Sequence, residues 1–154
     1  MIDLNLIFDG TPPTTGVAIT TTRASTNVLD ILVARDIGVG AELELHVQVL
    51  QAFTAAGAAT LQVAYQTSAD NATFVDIMLS PIIPVASLTV GAALFRYKVP
   101  VFQLLDTGTP NRYHRLNYTV ATGPMTAGTV FSYMTGGFDR QAFRAYPAGY
   151  SIDA

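Results

Sequence analysis

The chain has two histidines, and these are the side chains that titrate near neutral pH in ordinary surroundings. Acid–base or metal chemistry would therefore start from them. His46 alternates with Glu42 and Glu44, so in an extended strand all three share one face. That grouping suits a weak divalent-metal site. A structural zinc site needs four ligands, and nothing nearby supplies the rest. The favoured reading is a polar face turned to solvent or to another subunit. His114 follows Arg112-Tyr113 and shares a face with Leu116, Tyr118 and Val120. A hydrogen-bonded structural histidine at the rim of a core is expected there, not a catalytic base.

Nucleophile chemistry has less to build on. There is no cysteine, which removes disulfides, thiolate nucleophiles and cysteine-based zinc sites together. No Gly-x-Ser-x-Gly elbow occurs. Glycoside hydrolysis needs two opposed carboxylates. The two glutamates, Glu42 and Glu44, point the same way from one strand. Asp9, Asp36, Asp70 and Asp106 sit at expected turns or strand ends, where turn chemistry accounts for them. Thr107-Gly-Thr-Pro lacks the Gly-Lys-Ser/Thr that completes a phosphate loop. No enzyme, metal or cofactor is expected. A cupin-like enzyme would need a histidine-rich constellation that two distant histidines do not supply.

The elements that would position such groups are strands. Helical periodicity is nearly absent, and period-two alternation recurs. Leu43, Leu45, Val47 and Val49 alternate with Glu42, Glu44, His46 and Gln48. Leu61, Val63 and Tyr65 alternate with Thr60, Gln62, Ala64 and Gln66. With the small-residue loop Thr54–Ala58 between them, these two runs are expected to form an antiparallel pair. Further strands are expected at 4–8, 26–31, 73–78, 93–99, 113–121 and 128–135. Pro81 and Pro84 bracket an edge strand or crossing loop. Short strands at this spacing predict an all-β fold, a jelly-roll-like two-sheet antiparallel sandwich. The sandwich is expected over residues 1–135, with 9–25 as an extended arm rich in Thr, Pro and Gly. Residues 136–154 are expected to be a tail, hinged at Gly136-Gly137.

Composition limits the partners. Charged residues are 12% of the chain, against about 25% in an ordinary soluble domain. So sparse a surface suits a protein covered by neighbours in an assembly. The net charge is −3, with Lys98 the single lysine, so no basic patch for nucleic acid is expected. No apolar run approaches the roughly 20 residues of a membrane helix. The first residues lack the basic and apolar regions of a secretory signal. The tail carries Phe138, Phe143, Tyr146 and Tyr150, with Arg140 and Arg144 as charged partners. Aromatics are costly to leave in water and favoured as interface anchors, so these six form the expected protein interface.

An ordered series of segments resembles a known family. Ser25-Thr-Asn-Val-Leu-Asp30, Ala34-Arg-Asp-Ile-Gly38 and the alternating Glu/Leu strand come first. Ala58-Ala-Thr-Leu-Gln-Val63, Gln66-Thr-Ser-Ala-Asp-Asn71, Ile83-Pro-Val-Ala86, Arg115-Leu-Asn-Tyr-Thr-Val120 and Thr126-Ala-Gly-Thr-Val130 follow in the same order. Together, from about Thr26 to Thr135, they resemble the small capsid cement (decoration) proteins of tailed bacteriophages. The loop from Gln103 to Asn111 is longer than in that pattern, and the tail is an extension. The resemblance implies a jelly-roll homotrimer on the outer surface of an icosahedral virion capsid, made in the host cytoplasm. It would clamp adjacent major capsid protein subunits and meet neighbouring cement trimers. The alternative is a receptor- or carbohydrate-binding jelly-roll module on a phage fibre or capsid surface, although the chain has no tryptophan for sugar stacking.

Overall fold

The alternating segments become strands because each has one apolar face to bury. The structure is a computed structural model that describes residues 4–11, 15–34, 37, 43–100 and 110–136. Its strands are β1 (Ile7–Asp9), β2 (Val17–Ala18), β3 (Arg23–Ala24), β4 (Leu29–Asp30), β5 (Leu43–Ala55), β6 (Thr60–Ser68), β7 (Val75–Leu79), β8 (Ile83–Pro84), β9 (Ala93–Lys98), β10 (Tyr113–Ala121) and β11 (Met125–Gly136). They form two antiparallel sheets packed face to face. The first sheet runs β1-β11-β5-β9, with β2 also on β11. The second runs β3-β10-β6-β7, with β4 on β10 and β8 on β6. The all-β, two-sheet antiparallel sandwich expected from the sequence is the fold observed.

One expected pairing is overturned. β5 and β6 are consecutive but lie in different sheets. The Ala56–Ala59 connection carries the chain across the edge of the sandwich instead of turning it back as a hairpin. Both strands have a mainly apolar face, and each buries it against the other sheet. β10 and β11 make the same crossing in reverse. Met125 pairs with Ala55 on one side of the corner, and Ala121 with Thr60 on the other. The two crossing segments thus run as one two-stranded ribbon folded over both sheets.

The core lies between the sheets. Leu45, Val47 and Val49 of β5 and Val130 and Met134 of β11 meet Leu61, Val63 and Tyr65 of β6 and Leu116 and Tyr118 of β10. Phe8, Ile19 and Phe95 fill its margins. One glycine is required by this packing. Gly128 sits at φ +134, where β11 shifts register against β5, and a Cβ there would overlap the Phe53 ring. A bulge at a glycine lets β11 bend around the corner.

Residues 9–25 are expected as an arm outside the core, but the described residues of that range belong to the sandwich. Asp9 and Ile19 are fully buried, β2 pairs with β11, and β3 pairs with β10. Ile19 is the reason: a single large apolar residue amid Thr, Pro and Gly is enough to fasten the segment. The 4–8 strand is shorter than expected, since Leu4–Leu6 form a 3₁₀ turn before β1. In the 26–31 segment only Leu29–Asp30 pairs, with β10.

Candidate protein-binding surface

The groups singled out for chemistry are held in structural roles. His114 is completely buried on β10, and its Nδ1 lies 2.6 Å from the Tyr65 hydroxyl. Burial raises the Tyr65 phenol far above its ordinary range, so the phenol keeps its proton and shares a hydrogen bond with a neutral imidazole. Burial also pushes His114 down to about 4, against a backbone hydrogen bond at Asn111 that acts the other way. A histidine held neutral and enclosed by core side chains is a core hydrogen-bonding group, as its place in the sequence suggested.

His46 lies on the outer face of the first sheet, its Nε2 3.2 Å from Oε2 of the buried Glu44. Its ring stacks on Tyr133 of β11, with centroids 5.1 Å apart and planes 7° from parallel. Arg96 of β9 brings its Nε to 4.0 Å from the same carboxylate oxygen. The expected face of His46 and Glu44 is therefore real, and Glu42 lies outside the described residues. A cation-balanced carboxylate has little need of a metal. Among the described residues, no group of three or more His, Asp and Glu side chains could hold one.

Asp70 follows its expected turn role. Its Oδ1 accepts from the amides of Ala72 and Thr73, which lowers its carboxyl to about 2. Asp9 does not. It is buried at the end of β1, where Oδ1 accepts from the amide and hydroxyl of Thr26 and Oδ2 from the Tyr118 hydroxyl. The sequence hint was the neighbour Phe8: a strand end beside a core phenylalanine is already inside. Asp36 and Asp106 lie outside the described residues, as does the whole expected interface, Phe138, Arg140, Phe143, Arg144, Tyr146 and Tyr150.

The described residues present a different surface. Leu4, Val28 and Leu32, together with Asn5, Asn27 and Asp30, line a shallow groove of about 550 Å³ beside β4. Leu4 is 71% exposed and Leu32 73%, and the adjoining Val33 is 66% exposed. Leu32 also has φ +67, a backbone conformation that L side chains other than Asn and Asp avoid. Asp30 holds it there: Oδ1 accepts the Leu32 amide at 2.8 Å, and Arg112 Nη2 donates to Oδ2 at 2.6 Å. The Arg112 guanidinium in turn lowers the Asp30 carboxyl, so the clamp stays charged. The groove thus mixes polar and apolar groups, and its most exposed leucine is kept in a strained conformation by an ion pair.

A protein-family model described as Bbp16 matches residues 14–134. The chain belongs to the Bbp16 family. The match runs from before β2 to near the end of β11, so it takes in most of both sheets and the groove's β4 side. No curated protein matches the chain. The Bbp16 segment ends just before Gly136, where the tail expected from the sequence begins.

This groove was missed in the sequence, although its hint was there. Val28, Leu29, Ile31, Leu32 and Val33 are five apolar residues within six. An extended chain turns successive side chains to opposite sides, so they cannot all enter one core. Leu29 takes the core position and Leu32 and Val33 are turned outward.

Proposed function

We propose that this Bbp16-family chain is a structural virion protein: a trimeric capsid cement that binds the outer surface of an icosahedral phage capsid and braces neighbouring major capsid protein subunits. The observation that carries the reading is the Leu4–Leu32 groove. Strain of roughly 1–2 kcal/mol in a non-glycine residue persists only where surrounding structure enforces it, and here it holds an apolar side chain in water. That arrangement is wasteful for a free monomer and useful for a protein completed by neighbours. The groove also takes in Thr26 to Asp30, most of the segment that opens the likeness to capsid cement proteins. The histidines and carboxylates described above are engaged in packing and hydrogen bonding, which suits a part that holds and does not react.

Holding a lattice requires no chemistry. A protein that binds only the assembled shell stabilises it by mass action. Three copies of a modest contact add avidity beyond what one provides. The test is to mix the purified chain with expanded shells that lack it. Co-sedimentation, a trimer by light scattering, and shells that rupture at higher temperature than bare ones are expected. A monomer that ignores such shells would sink the reading.

A further inference from the structure

We infer that Arg115, on the outer face of the second sheet, anchors a carboxylate-binding site for an acidic side chain of the shell subunit. The inference deepens the cement reading, rests on it, and names the face that meets the shell.

The sheet sets the arginine in a row. Arg115 of β10 lies opposite Gln66 of β6, and Gln66 lies opposite Asp76 of β7. Leu116 and Tyr118 alternate into the core, so Arg115, Asn117 and Thr119 face outward. Arg115 Nε donates to Gln66 Oε1 at 2.7 Å, and Gln66 Nε2 donates to Asp76 Oδ1 at 2.7 Å. The guanidinium carbon lies 3.6 Å from the centre of the Phe74 ring. A hydrogen bond on one edge and an aromatic ring against one face fix the plane of the fork before any ligand arrives.

The fork so held is unfilled. Its two terminal nitrogens donate to no described residue. Arg23, Arg96 and Arg112 each have a carboxylate oxygen within 4.0 Å, and Arg115 has none among the described residues. Gln66 stands between it and Asp76. Partial burial lowers the guanidinium, and the charge of Asp76 opposes that. What remains is a positioned set of charged N–H donors, which suits the two oxygens of a carboxylate. Holding it in place beforehand reduces the entropy lost on binding.

Charge also chooses the partner. A second copy has little to offer among the described residues. Asp9 and Glu44 are buried, and Asp30 is engaged by Arg112. Asp70 is held by the amides of Ala72 and Thr73, and Asp76 accepts from Gln66 on the same face as Arg115. The carboxylate is therefore assigned to the shell subunit.

The test uses the full chain and expanded shells that lack it. Arg115→Gln should bind the shell about tenfold or more weakly, because a positioned arginine contact is lost. The salt dependence of its binding should be shallower than the parent's, which a merely structural role would not produce. Urea unfolding confirms that the variant is folded. Asp76→Asn leaves Arg115 in place. Its Oδ1 can still accept from Gln66 while the competing negative charge is gone, so shell binding should tighten several-fold. Equal affinity of Arg115→Gln and parent, or weaker binding by Asp76→Asn, would overturn the inference and leave the cement reading intact. Loss of the trimer in Arg115→Gln with shell binding unchanged would overturn it too, since the arginine would then join copies of this chain. A parent chain that ignores the shell sinks both.

Discussion

The Tyr118 hydroxyl lies 2.8 Å from Oδ2 of Asp9, and both residues are fully buried. Tyr118 belongs to β10 in one sheet and Asp9 to β1 in the other, so the bond crosses the sandwich. The Tyr118 oxygen also lies 2.8 Å from Ser132 Oγ on β11. Thr26 satisfies the other carboxylate oxygen, and Arg23 brings Nη2 to 3.6 Å of it. A buried carboxylate is tolerable only with such a set of donors. The set also ties one sheet to the other, because its members come from both.

Tyr118→Phe should therefore destabilise the fold beyond the loss of one ordinary hydrogen bond. Asp9 would remain buried with a donor missing, at a cost of roughly 1–3 kcal/mol. Urea unfolding would measure it as a lower midpoint with unchanged slope. A variant within 0.5 kcal/mol or so of the parent would show that the bond contributes little.

Stability should fall with acid through His114. In the unfolded chain its imidazole takes up a proton near 6.5, and in the folded chain not until about 4. Between those values the unfolded state binds more protons. The contribution is fully present above about 6.5, falls as pH drops towards 4, and levels off below. A difference of that size corresponds to roughly 3 kcal/mol. His114→Gln keeps a hydrogen-bonding group for Tyr65 and cannot titrate, so its stability should be flatter over this window. Parallel pH profiles for parent and variant would contradict the assignment.

Gly128→Ala should be among the most damaging single-atom additions in the chain. The new Cβ meets the Phe53 ring, and φ +134 is closed to alanine. Strain and overpacking together should cost roughly 2–5 kcal/mol. Phe53→Leu in the same chain should return part of that loss, because it removes the ring and leaves the backbone strain. A double variant no better than the sum of the two singles would show that the ring is not the obstacle.

Strand existence was legible because burial imposes period two, as in Leu45, Val47 and Val49. Strand partnership was not. β5 and β6 look like a hairpin because alternation tells which face is buried, not against which sheet. The arm assigned to 9–25 failed on Ile19, whose burial depends on a cleft that exists only once both sheets have formed. Asp9 is at the strand end its residue type suggests, but its burial is not legible, because residue type says nothing about Tyr118, more than a hundred positions away, being there to donate. The Leu32 groove required knowing that the backbone reverses at an Asp30–Arg112 pair joining residues 82 positions apart.

Leu29 and Leu32 make the last prediction, because three positions apart they should respond in opposite directions. Leu29 is in the core on β4, and Leu29→Ala should lose roughly 2–4 kcal/mol as a cavity opens. Leu32→Asn removes an exposed side chain and relieves a left-handed backbone, so it should raise stability by up to about 1 kcal/mol. A stabilising change at a residue held strained and apolar is what a binding surface predicts, since strain kept for a partner is lost stability in its absence. Thermal unfolding of the two variants at equal concentration would decide it. If Leu32→Asn lowers the melting temperature of the dissociated chain, Leu32 contributes to the fold itself, and its exposure has no bearing on binding.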